Sequence, residues 1–481
     1  MIGLRKIISG ILSTTVAISA MSFCAFAAET PDLPVWDGTV AAAFAGGSGT
    51  EADPYLISDG AQLALLMKNI NDTTSEAAQA TAGKYYELTN DIVLNDLANF
   101  DSWSTAAPAN EWVPGGSVDN YIPKGFAGFL DGNHYEIFGL YIDNDDQYNG
   151  LFGYVYNGQV KDLGIGYAYV EGGSCTAALA GYVRASYDNI AAISGCTVRD
   201  SVVVGRNNVG AIGGYVEAVG GYVDSSDKYI ESADNKVTFN CCANVNTKVS
   251  GNNYVGGLIG LAAAYGVNYS DDEFAIAFTD CANSGSISGK KGVGGIVGSS
   301  KDLVSSPQAG YGGKIAMSFR NCFNNGVIAA TTPHVGGIAG TVGPQDRADS
   351  NVVTKIMNCY IIDGTADALY GYTEAATEAN GSDIFTADEA KNYASFVGFE
   401  FDLNWIIADG TAPSLRVFGD AIADGKVTAQ DVIDLLPIKA GAGGHKLYDF
   451  VNADIDNSGA FDLKDINLLM EYLKNKGAKA E

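Results

Sequence analysis

Two stretches in the last sixty residues carry oxygen-bearing side chains at a spacing that could enclose a divalent cation. In residues 420–431, Asp420, Asp424, Thr428 and Asp431 fall at positions one, five, nine and twelve. In residues 454–465, Asp454, Asp456, Ser458, Asp462 and Asp465 fall at positions one, three, five, nine and twelve. Both loops have glycine at six, Gly425 and Gly459, and both offer a backbone carbonyl at seven, from Lys426 and Ala460. Hard oxygen donors around a glycine-permitted turn are the ligand set of an EF-hand calcium loop, so two Ca2+ sites are expected. The first should be weaker, because Ile422 stands at position three where the second loop has Asp456. A single such loop could be a solvated turn. Two in register, 34 residues apart and each leading into an apolar stretch, are much harder to obtain by chance.

These loops, followed by Val432, Ile433, Leu435 and Leu436 in one case and by Ile466, Leu468 and Leu469 in the other, resemble a type I dockerin. The resemblance covers about residues 417–477. It implies a small all-α, calcium-folded module that seats a protein on the cohesin of a scaffoldin, as in a cellulosome. It also implies that partner-reading residues sit at loop positions ten and eleven, here Ala429, Gln430, Leu463 and Lys464. One departure is Pro437, which removes a backbone donor and should end or kink the helix after the first loop.

The body that such a module would carry repeats itself between residues 126 and 372. Val255-Gly256-Gly257-Leu258-Ile259-Gly260 recurs as Val293-Gly294-Gly295-Ile296-Val297-Gly298 and Val335-Gly336-Gly337-Ile338-Ala339-Gly340, with looser copies upstream. Closing glycines at 153, 181, 214, 260, 298 and 340 give a period of 28 to 46 residues. One period holds three short β-type runs, such as 318–322, 326–329 and 335–340, and no sustained helical periodicity. Runs too short to bury a face alone predict coils stacked into a right-handed parallel β-solenoid, a β-helix. Glycines at the corners should allow positive φ and close approach of successive coils. The region resembles the GLUG-repeat family of bacterial surface proteins over about residues 44–416. That likeness implies a fold and little about chemistry. Ahead of the coils, Ser58 or Asp59 precedes Leu63, Leu65, Leu66 and Ile70, which predicts a capped helix closing the N-terminal end.

Two side-chain columns follow from the period. Cys196, Cys242, Cys281 and Cys322 lie 13 or 14 residues before the second position of a glycine element, with Cys359 next, so the sulfurs should stack inward. Inward thiols behave as small hydrophobes, although neighbouring coils are also close enough for a disulfide. Tyr154, Tyr182 and Tyr215 follow equivalent glycines, and could stack on sugar rings or pack beneath loops.

Catalysis on a solenoid face would need paired acids. The acid clusters visible in the sequence are Asp143, Asp145 and Asp146, and Asp271, Asp272 and Glu273; both read more simply as solvated loops of an acidic chain. His134, His334 and His445 are scattered and suggest neither a metal site nor a triad.

The chain ends read as follows. Arg5 and Lys6 precede an apolar run to about Phe26 and the small-residue site Ala25-Phe26-Ala27, the pattern of a secretory signal peptide over residues 1–27. Its two positive charges leave with it, taking the net charge from −28 to −30. Nucleic acid is thereby excluded as a partner, since its phosphates must be met by clustered Lys and Arg. No other run approaches a membrane span, so the mature chain is expected to be extracellular without a transmembrane segment. The expected organisation is a leader, a linker at 28–45, a solenoid at 46–416, the dockerin-like module at 417–477 and a short tail at 478–481. The expected role is a non-catalytic, carbohydrate- or surface-binding module of a polysaccharide-degrading complex. A solenoid glycoside hydrolase or polysaccharide lyase, and a cell-surface adhesin, stand as alternatives.

Overall fold

A computed structural model describes residues 33–73, 79–119, 122–186, 189–219, 221–223, 229–231, 235–265, 275–302, 315–343, 352–373, 376–401, 404–407, 411–416, 431–432 and 463–475. The leader, Pro437, Asp271, Asp272, Glu273 and most of both cation loops lie outside these residues.

Among the described residues the chain is mostly β, and its long sheets are parallel throughout. A ten-stranded sheet runs from Tyr55–Ile57 to Ala376–Asn380, and a nine-stranded sheet from Ile92–Val93 to Asp383–Phe385. Sheets of six, seven and four strands complete the coils. Each strand pairs with the strand one coil before and one coil after, as in Ile193↔Phe239↔Phe278↔Phe319↔Ile356. Sequential stacking in unbroken parallel register is the definition of a β-solenoid, and that fold class therefore rests on this chain's own pairing.

The coil is more finely divided than three runs per period. One turn contains Lys236–Asn240, Ala243–Val245, Lys248–Ser250, Asn253–Gly256 and Ile259–Tyr265, five strands in all. The cause is a corner inside what reads in sequence as one strand. After the ten-stranded sheet, the chain turns at Asp162, Gly195, Cys241, Asp280, Asn321, Asn358 and Gly381, all with φ between 50° and 66°. Short polar side chains tolerate this left-handed conformation, so five of the seven positions need no glycine.

Of the two needs expected of the repeated glycines, positive φ and close approach of successive coils, the glycines of the repeated element serve the second: they make room. A Cβ on Gly298 would stand 2.4 Å from the backbone nitrogen of Val255, and one on Gly256 would stand 2.0 Å from the carbonyl oxygen of Ile259. A Cβ on Gly257 would meet the carbonyl oxygen of Gly295 at 2.1 Å and Oδ1 of Asn283 at 2.5 Å. The motif thus records where backbone packs directly against backbone.

The interior is built in columns. Phe239, Phe278 and Phe319 stack with centroids 5.1 and 5.0 Å apart. Cys196, Cys242, Cys281, Cys322 and Cys359 form the inward column that the spacing predicts, each a buried free thiol. Buried amides make a third column, in which Asn244 Nδ2 donates to Asn283 Oδ1 (2.8 Å) and Asn283 Nδ2 to Asn324 Oδ1 (2.7 Å). The ladder pairs its inner amide groups, which would otherwise be costly in the core, and leaves Asn244 Oδ1 and Asn324 Nδ2 at its ends without a partner.

Both ends are closed. The helix α1 (Gly60–Asn71) buries Leu63, Leu66, Met67 and Ile70 against the first coil. Asp59 caps it by accepting from the Gln62 amide (2.9 Å), while Gln62 reaches back to the Ser58 amide (2.7 Å). Residues 33–45 also pack here: the Trp36 amide donates to Val93, and the Trp36 ring meets Trp112 edge-on at 5.4 Å. Beyond the last coil, Phe396, Phe399 and Trp405 fold back over Ala243, Ala282, Phe323 and Tyr360. Trp405 Nε1 and Asn404 Nδ2 each donate to the Asp280 carboxylate at 2.9 Å, tying this segment to a coil over 100 residues earlier. The helix α2 (Leu463–Asn475) buries Ile466, Leu469 and Leu473, one apolar stripe at helical spacing.

Candidate functional site

Of the residues expected to hold calcium, Asp431 and Asp465 are described. Both stand at position twelve of their loops and both are completely buried. Residues 431–432 are helical, and Asp465 lies in the first turn of α2, where the partial positive charge of a helix start favours a carboxylate. Asp420, Asp424, Lys426, Thr428, Asp454, Asp456, Ser458, Ala460 and Asp462 lie outside the described residues, as do Ala429 and Gln430. Leu463 and Lys464 are exposed at the start of α2, with Leu463 61% accessible. Buried carboxylates at equivalent places in the two loops suit a hard cation with oxygen ligands.

Two of the three rings of the tyrosine column are buried and the third is half-buried. Tyr154, Tyr182 and Tyr215 stack at 4.7 and 4.9 Å on the outer side of the seven-stranded sheet, and Tyr154 and Tyr182 are buried. Tyr182 and Tyr215 both donate to the Glu217 carboxylate, the latter at 3.2 Å, and Arg184 Nε lies 3.2 Å from the same group. Burial pushes the Tyr154 and Tyr182 phenols well above the usual range. Their glycine neighbours place them correctly in sequence; what covers them is not visible there. Asp143 accepts from Tyr141 Oη (3.2 Å) at an exposed strand end, with Asp145 and Asp146 exposed beside it. No group of three or more metal-ligating side chains occurs among the described residues.

A more organised surface lies on the outer face of the ten-stranded sheet, in the first three coils. Tyr85 and Phe129 are register partners, and their half-exposed rings stack at 4.4 Å and 10°. Two residues along, and therefore on the same face, Glu87, Asp131 and Lys161 occupy successive strands. Lys161 Nζ lies 2.7 Å from Asp131 and 3.8 Å from Asp162. Asn133 Nδ2 donates to Glu87 (3.3 Å), and Asn133 and His134 turn the corner with φ of 49° and 61°. Burial, then the neighbouring Asp131, pushes the Glu87 carboxyl up, with Lys161 opposing. The Asp162 carboxyl is raised by burial against the pull of His134. Sequence reading missed this group because its members are 30 to 44 residues apart. Strand register alone brings them together.

No protein-family model matches the chain. A stretch of 152 residues is 34% identical to a protein of Evansella cellulosilytica provisionally named a Gly-rich membrane protein. That alignment covers 31% of this chain and only 15% of the relative's length. Among solved structures, a Bacteroides ovatus protein provisionally named an immunoglobulin A1 protease aligns over 78% of this chain and 95% of its own, with a TM-score of 0.49 and 20% identity. No described helix is long and apolar enough to cross a membrane.

Proposed function

We propose that this chain is a secreted, cohesin-bound component of a cellulosome-like polysaccharide-degrading complex. In this reading residues 417–477 are a calcium-dependent dockerin and the GLUG-type solenoid, wound right-handed, is the cargo. The cargo acts as a non-catalytic module that binds carbohydrate or a surface. The observation that carries the reading is the pair of oxygen-ligand loops in register, with Gly425 and Gly459 at position six and Asp431 and Asp465 at position twelve. Calcium would supply the charge that lets the loop carboxylates converge. The chain's own contribution is the oxygen set: Asp420, Asp424, Thr428, Asp431 and the Lys426 carbonyl in one loop, Asp454, Asp456, Ser458, Asp462, Asp465 and the Ala460 carbonyl in the other. Leu463 and Lys464, exposed beside the second loop, are the residues offered to a cohesin.

The test is retention of the full chain on a panel of immobilised cohesins. Capture in calcium and release by chelator supports the reading. Passage through every column in calcium removes it. Reducing-sugar or unsaturated-product release from a panel of polysaccharides would replace the non-catalytic reading of the solenoid with an enzymatic one.

A further inference from the structure

We infer that a cleft at the N-terminal end of the solenoid binds a small organic carboxylate, its anionic head on Lys84 and Tyr86 and its apolar body against Phe44, Tyr55 and Leu65. The cleft has a volume of about 520 Å³, within the range that encloses small molecules. It opens between residues 42–47, α1 and the strand Tyr85–Leu88.

Three elements position its walls. On α1, Leu63, Leu66, Met67 and Ile70 are buried in the core, whereas Leu65 and Asn69, four residues apart and so on one face, line the cleft half-buried. Residues 42–47 run beside Tyr55–Ile57 through the bridge Gly46↔Leu56, which brings the Phe44 ring onto Tyr55 at 4.8 Å and 29°. Gly49 leaves room for that stack: at φ 77°, a Cβ there would stand 2.3 Å from Cε2 of Tyr55. Strand register places Tyr86 beside Tyr55, with its ring centroid 5.6 Å from both Tyr55 and Phe44.

The free polar groups select the head of the ligand. Tyr86 is 3% exposed, and its hydroxyl has no hydrogen-bond partner among the described residues. Burial, then Tyr55, pushes this phenol up, so it stays protonated and can donate. Lys84, just ahead of the same strand, is half-buried, and its ammonium meets no carboxylate among the described residues, in a chain with 56 Asp and Glu against 28 Lys and Arg. The Asn69 amide is free in the same sense. Asp72, the acid among these lining residues, is paired with Lys68. Uncommitted donors beside a neutralised acid call for an acceptor with negative charge, and charge-assisted hydrogen bonds favour a carboxylate there over a hydroxyl. The rest of the wall favours a hydrocarbon body over a hydroxyl-bearing one. The inference stands apart from the calcium-folded tail and from any cohesin.

The experiment titrates the full chain, in calcium, with sodium cinnamate and sodium octanoate by isothermal calorimetry, with cinnamamide and acetate as controls for the head and the body. At least one of the two carboxylates is expected to bind, about tenfold or more tightly than either control. Lys84→Met should weaken binding by about tenfold or more, and Lys84→Arg should retain most of it. Tyr86→Phe keeps the ring and removes the hydroxyl, and should weaken binding by about threefold or more. Circular dichroism of each variant separates lost binding from lost folding. No binding of either carboxylate, a control that binds as tightly as they do, or affinity unchanged in Lys84→Met or in Tyr86→Phe overturns the inference.

Discussion

The solenoid and the C-terminal tail both repeat, but different quantities recur in them. In the coils it is volume: Phe above Phe, thiol above thiol, amide above amide, with glycine where two backbones touch. In the tail it is oxygen donors at fixed offsets around a shared glycine. A repeat in volume specifies a fold and leaves the ligand open. A repeat in donors specifies a ligand, and the fold follows from binding it.

The largest expected effect separates the two regions outright. If the tail folds on calcium as proposed, removing calcium should abolish amide-exchange protection in α2 while leaving the solenoid strands protected. Equal loss in both regions, or none in α2, would erase the distinction. Within the solenoid, Phe278→Ala should cost about 3–5 kcal/mol, since it leaves a ring-sized void between Phe239 and Phe319. Denaturant unfolding monitored by far-ultraviolet dichroism measures it. A smaller loss, about 1–3 kcal/mol, is expected for Gly298→Ala, whose added methyl meets the Val255 backbone rather than a yielding side chain.

How much of this was legible beforehand follows the same division. The glycine element, the inward thiols and the helix cap at Asp59 could be read because each is a pattern within one coil or at a near-constant offset from the glycine element. The five-strand coil could not, because the corner at Cys241, Asp280 and Asn321 uses ordinary side chains in a left-handed conformation. Nor could the Glu87, Asp131 and Lys161 row, since loops of unequal length hide which residues share a register. The burial of Tyr154 and Tyr182 in the tyrosine column was equally hidden: periodicity places the rings, whereas the Arg184 and Glu217 contacts that occupy them come from tertiary packing.

The smallest effect belongs to the outer row. Glu87 has a carboxyl raised by burial, so its native form holds a proton that the unfolded chain releases at lower pH. Its contribution to stability therefore falls as pH rises through the window between the two values. Glu87→Gln should unfold at a slightly higher temperature than the parent chain at pH 7, with the gap closing toward pH 4. A gap that widens on acidification would show that the carboxylate is stabilised in place, with Lys161 prevailing over burial.

The most direct test of the donor repeat is a calorimetric titration of the metal-free full chain with calcium. Two sites of unequal affinity are predicted, with Asp456→Ile weakening the tighter one toward the level of the loop that carries Ile422. Absence of binding heat, or two sites that ignore Asp454→Ala and Asp420→Ala alike, would contradict it.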